Sequence, residues 1–355
     1  MQSALTMSRP PRIRSCAFIA FALAAIPALA AGPYPNTEFF GVPFSADEAW
    51  YRQCMRVEKL PPEPATGKAA AGCDAAALYY IKRNQAQTSP AEWEQVRQCA
   101  IGTDNKAVLM MLYANGYGVA RDTDRAIHYA CSLGFVAKSE MAHRVAHLAG
   151  DPAEVRNHGK LFDLCDDITS GAMGGVCAEL RETQDRRVRE ARLARMAGAL
   201  PPAGRDAFAR LRAAAERYAE AGAREVDAHG TAAAEFATRR QARLREEFMQ
   251  AALDAFNGKL PAASPEQFAE RDRELNTRYQ SLMAAPSKDP DEPDRIGEST
   301  MTHKDVREVE RLWLAYRDAF AAFGAALGSA ADPAAIKAAL TSQRIAILED
   351  IAKYI

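Results

Sequence analysis

The chain has 355 residues, enough for two or three domains with hydrophobic cores of their own. Hydrophobic residues make up 48% and charged residues 26%, a globular mix that excludes wholesale disorder. Lys plus Arg numbers 45 against 46 for Asp plus Glu, which leaves no electrostatic footprint for a nucleic-acid partner. Alanine supplies 74 residues and favours helix, because it loses no side-chain entropy there.

Residues 1–31 read as an export signal. Arg9, Arg12 and Arg14 form a basic stretch, Ala17 to Leu29 is apolar, and Ala28-Leu29-Ala30 supplies small residues for cleavage near Ala30–Ala31. The apolar run is too short to span a bilayer, which takes about 20 helical residues. The expected location is therefore the periplasm or the extracellular space, with no stable membrane insertion.

Cysteine usage points the same way. Cys16 lies within the signal, and the other six cysteines all fall between Cys54 and Cys177. An even number in an exported chain reads as a disulfide set. Cys165 and Cys177 flank a short glycine-rich stretch and are expected to pair. Elimination then pairs Cys99 with Cys131 and Cys54 with Cys73. Zinc is the competing reading, but these cysteines lack the C-x-x-C spacing of a zinc site.

Helix punctuation recurs along the chain. Ser89-Pro90, Asp151-Pro152, Ser264-Pro265 and Asp332-Pro333 each place a capping residue before a proline at the first helical position. Alternating apolar–polar runs bounded by turn residues are missing, so the expected fold is all-α. A composition shift at Cys177, after which the chain becomes alanine- and arginine-rich, marks the expected domain boundary. The units are residues 32–177 with the cysteines, a helical segment 178–264, and a helical domain 265–355.

In the first unit, residues 107–134 form two apolar helical stretches, with Gly116 and Gly118 at a tight turn between them. Ala107, Leu109, Tyr113, Gly116, Gly118, Val119, Asp122 and Ala126 make this hairpin resemble a Sel-one-like repeat, a relative of the tetratricopeptide repeat. Residues 73–100 look like a degenerate second copy. Helices are also expected over 182–199, 204–228, 231–257, 264–285, 303–327 and from 332 onward, with a charged, proline-containing loop over 286–300. Gly230 is expected to end one of these helices and Thr231 to cap the next.

The last unit carries a second resemblance. Asp272, Leu275, Asn276, Tyr279 and Leu282 at helical spacing are followed by Glu310, Arg311, Trp313, Leu314, Tyr316, Arg317 and Asp318, then by Thr341, Arg344 and Leu348. This pattern is similar to the lysozyme-inhibitor LprI-like domain of bacterial envelope proteins. Residues 178–258 are weighed as a diverged copy, matching Arg240 and Leu244 to Arg344 and Leu348. Trp313, Tyr316 and Phe320 lie on one helix face and read as core, and Arg317 is expected to pair with Asp272 or Glu274.

Catalytic handles are weak. His143 and His147 share a helix face, but Arg144 stands where a zinc protease needs Glu. Asp166 and Asp167 are adjacent and are expected to point apart in a turn rather than act as an acid–base pair. G-x-S-x-G and phosphate-loop motifs are missing. The sequence therefore reads as a non-enzymatic interaction protein without a cofactor. The resemblance implies a protein partner, with lysozyme the one it names. An envelope scaffold is the alternative, and a wall hydrolase is the least supported.

Overall fold

The structure, a computed structural model, describes residues 33–61, 63, 69–158, 161–328 and 332–355. The expected export signal and Cys16 lie outside these residues. The fold is all-α, and among the described residues strand pairing is limited to isolated bridges.

Seven helices build the N-terminal part: α1 (Ala49–Val57), α2 (Ala75–Arg83), α3 (Pro90–Gly102), α4 (Lys106–Asn115), α5 (Thr123–Cys131), α6 (Lys138–Leu148) and α7 (Pro152–His158). From α2 to α6 each helix packs on the next, and α1 lies across α5 and α6. Ser89 and Glu92 close a reciprocal capping box at the start of α3. The α4–α5 turn depends on glycine. Gly118 sits at φ +71°, and a Cβ there would come within 2.3 Å of the Trp93 Cβ. Trp93 instead stacks on Tyr117, with ring centroids 4.7 Å apart. A first hydrophobic core centres on α4, where every residue from Val108 to Ala114 is buried.

Six further helices follow: α8 (Gly171–Ala199), α9 (Pro202–Gly222), α10 (Ala233–Phe256), α11 (Pro265–Met283), α12 (His303–Ala326) and α13 (Pro333–Ile351). α8 begins earlier than expected and runs unbroken through Cys177. Its first turns touch the N-terminal core through Met173, while Leu193 and Met196 enter a second core formed with α9–α13. Ser264 and Gln267 form a capping box on α11. Asp332 caps α13 by accepting from the Ala334 amide. Gly230 adopts φ +80° but ends no helix, since α9 stops at Gly222 and the 3₁₀ turn at Glu225, and Thr231 is not the next cap, since α10 begins at Ala233 after Ala232.

The second core has a regular plan. α9 packs on α12, α8 packs on α10, and α11 packs on α13. The burial pattern repeats between the halves. Every buried residue of α12 has a buried counterpart on α9 at constant spacing, so that Gly204 matches Val306, Phe208 matches Glu310 and Leu211 matches Trp313. The buried residues of α10 map likewise onto α13, with Leu244 matching Leu340 and Phe248 matching Arg344. In this register Phe248, not Arg240, stands where Arg344 stands.

The disulfides correct part of the expected pairing. Cys165 bonds Cys177, but Cys54 bonds Cys131 and Cys73 bonds Cys99, with Cα separations of 5.8, 5.8 and 6.1 Å. The expected Cys99–Cys131 and Cys54–Cys73 bonds are not formed. Elimination favoured neighbours in sequence, whereas packing α1 against α5 carries Cys54 to the end of α5. Cys73, just ahead of α2, is left against Cys99 on the adjoining α3.

Candidate functional site

The motif residues converge on the α11–α12–α13 side of the second core. On α11, Leu275 and Leu282 are buried, Asp272 is half-buried and Asn276 is exposed. Asn276 donates to the Asp272 carbonyl at 2.8 Å. Tyr279 is half-buried, and burial raises its pKa. On α12, Trp313, Tyr316 and Phe320 are all buried. Tyr316 stacks on Tyr218 of α9 at 5.5 Å, and burial pushes its hydroxyl far above the usual range. This aromatic face is core rather than an exposed anchor.

Arg317 sits at the edge of that face. It donates to Asp272 at 3.0 Å, and its guanidinium lies 5.2 Å from the Trp313 ring centroid and 5.8 Å from that of Phe268. Of the two partners considered for it, Asp272 is the one engaged, since Glu274 is taken by Arg271 at 2.8 Å. Asp318 is the exposed member of the set, 3.3 Å from Arg317.

Arg344 is completely buried. Its two terminal nitrogens donate to the two oxygens of Glu225 at 2.6 Å each, and its Nε donates to Glu310 at 2.8 Å. Burial works against this charge, but Glu225, Tyr218 and Glu310 hold the guanidinium well above its usual range. Burial also raises the Glu310 carboxyl, and Arg344 only partly opposes that shift. The sequence pattern contains both Arg344 and Glu310 and marks Glu225 as part of a polar break, but it does not signal that the three meet. Glu225 is far away in the chain, in the 3₁₀ turn after α9, so no local spacing could have signalled the pair.

The remaining candidates fall in the N-terminal part. His147 is buried, with its ring nitrogen 3.3 Å from Asp167, while His143 is exposed. Asp166 turns away from Asp167 and accepts from the Asp163 amide at 2.8 Å, and burial raises its carboxyl pKa. The adjacent carboxylates thus serve different neighbours. Among the described residues no group of three His, Cys, Asp or Glu side chains is placed to hold a metal ion.

The converging motif is therefore mostly a buried support for the helical bundle, with Asn276 and Asp318 exposed and Asp272 half-buried. No curated protein and no solved structure matches the chain. The segment from 258 to 348, which contains the whole of this motif up to Leu348, matches the family model described as lysozyme inhibitor LprI.

Proposed function

We propose that the protein is an exported, non-catalytic binding protein of the bacterial envelope that inhibits lysozyme through its C-terminal bundle. The observation that carries this reading is the family match over 258–348, together with the fully assembled motif cluster inside it. Three disulfides support an oxidising compartment. No helix of the described residues is long and apolar enough to cross a membrane. Because the motif residues are mostly buried, contact with lysozyme falls to the exposed residues around them. Lysozymes are often cationic, and opposite charge across an interface speeds association and sets register. Exposed carboxylates such as Asp318 and Glu270 are suited to that role.

The test is a cell-wall lysis assay with purified protein lacking residues 1–31. Dose-dependent loss of lysozyme activity is expected. Full activity at excess protein overturns the inhibitor reading.

A second reading, an envelope scaffold, rests on the stacked helices α2 to α6 and their resemblance to Sel-one-like repeats. Stacked hairpins form extended surfaces that hold partner segments. Envelope proteins retained by the intact chain in a pull-down, combined with unimpaired lysozyme, favour this reading.

A further inference from the structure

The polar corner between α9 and α10 reaches the motif cluster through Glu225, and it also forms one wall of a cleft of about 570 Å³. The first half of α10 and the C-terminal end of α13 form the other walls. That volume falls within the roughly 300–1,000 Å³ typical of small-molecule sites.

Most of the charged side chains lining the cleft have a close partner. Lys353 is held by Asp350 at 2.6 Å and Arg239 by Glu235 at 2.5 Å. Asp227 engages His229 at 2.9 Å, and both oxygens of Glu225 are committed to Arg344. Arg240 and Arg243 have no carboxylate at ion-pair distance among the described residues, although both act at longer range on Glu247 and Asp350. Arg240 is only 8% exposed, its Nη1 has no hydrogen-bond partner, and its Nη2 reaches only the Glu225 carbonyl at 3.5 Å. Arg243, one turn further on and exposed, makes no ion pair or hydrogen bond among the described residues. Burial and the charge of Arg243 both lower the Arg240 pKa. A buried cation persists only when something satisfies its donors.

The wall opposite is fixed in advance. Asp227 accepts from the Thr300 amide at 3.0 Å and its hydroxyl at 3.1 Å, and the Ala228 amide donates back to that hydroxyl at 2.6 Å. Phe236 and Tyr354 present exposed rings at the rim. We propose that this cleft binds a small organic oxyanion, with its phosphate or carboxylate group seated on Arg240 and Arg243. Guanidinium groups suit either anion, because their forked donors match two oxygens at once. The ring-bearing rim would cover the organic body. The site adjoins the motif cluster at Glu225, but Arg240 and Arg243 are not motif residues and the proposal does not depend on lysozyme inhibition.

The probes are inorganic phosphate and acetate, titrated calorimetrically into the full chain at constant ionic strength. Saturable binding of at least one is expected, and the tighter of the two identifies the preferred group. Arg243→Ala should weaken it about tenfold, as loss of a charge-assisted contact does. Arg240→Met should abolish it without lowering the melting temperature of the unliganded protein, because the variant removes an unpaired charge. Three outcomes overturn the proposal: no saturable binding of either probe, binding unchanged in Arg243→Ala, or a lower unliganded melting temperature in Arg240→Met. The last would make Arg240 a structural residue.

Discussion

Glu225 grips Arg344 with both carboxylate oxygens, yet it lies outside the segment 258–348 that matches the inhibitor family and Arg344 lies inside it. The deepest cation of the matched segment is thus neutralised by the helical unit before it. Helices α11–α13 cannot bury Arg344 in this way unless the turn after α9 is in place.

This relationship sets a double expectation for stability. Glu225→Gln leaves Arg344 buried beside a single carboxylate and should cost about 3–5 kcal/mol, the usual penalty for breaking a buried pair. Replacing Glu225, Glu310 and Arg344 together with apolar residues should cost far less. The protein already contains the apolar version: at the matching positions of α9 and α10, Phe208 stacks on Phe248 with centroids 6.3 Å apart. Urea unfolding of the single and triple variants checks both expectations. A triple variant as unstable as Glu225→Gln would mean the ion cluster contributes more than a packed core would.

The disulfides should differ in value because they close different loops. Cys54–Cys131 spans 77 residues and Cys165–Cys177 spans 12. The chain-entropy estimate gives about 4.5 kcal/mol for the longer loop and about 3 kcal/mol for the shorter. Replacing Cys54 and Cys131 with Ser should therefore lower urea-measured stability more than replacing Cys165 and Cys177. Peptide mapping without reduction should recover the three pairs seen here.

The helices were legible because capping and proline signals are local. Ser264 with Gln267 and Asp332 with Pro333 placed helix starts that the structure reproduces. The disulfide pairing was only partly legible, since Cys54 meets Cys131 through the packing of α1 on α5, and sequence spacing carries no trace of that. The α8 start was missed because three glycines near residue 174 read as a loop. Gly171 and Gly174 are instead sites of close approach, where an added Cβ would meet Thr231 or Glu235 within 2.4 Å. The cluster around Arg344 was half legible, as Arg344 belongs to a recognisable pattern and Glu225 does not.

Within the motif, burial separates support from surface. Trp313→Ala removes a ring that is 1% exposed and should cost about 3–5 kcal/mol. Arg317→Ala loses the Asp272 pair and its place beside Trp313, and should cost about 1–2 kcal/mol. Asp318→Ala should stay within about 0.5 kcal/mol of the parent. Thermal unfolding ranks the three variants. In a lysozyme assay, weaker inhibition by Asp318→Ala with stability intact would place the contact surface on this edge of α12.

Acid should weaken the N-terminal part through Glu92. Hydrogen bonds from Lys82 and from the Ser89 backbone and hydroxyl lower its carboxyl pKa from the ordinary 4.5 to about 2. A carboxyl whose pKa is depressed by folding stabilises the protein above its unfolded value, and that stabilisation is lost as pH falls toward the folded value. Melting temperature should therefore decline as pH drops from 4.5 toward 2. Glu48, lowered to about 2 chiefly by Lys138, contributes in the same window. Burial raises Asp166 and Glu310, so their effect runs the other way and is lost as pH rises. Glu92→Gln isolates one contribution, because glutamine keeps the capping box while losing the charge. The variant should melt below the parent at neutral pH, and the gap should close as pH approaches 2. A gap that stays constant with pH would mean that the carboxylate acts through geometry alone and not through its charge.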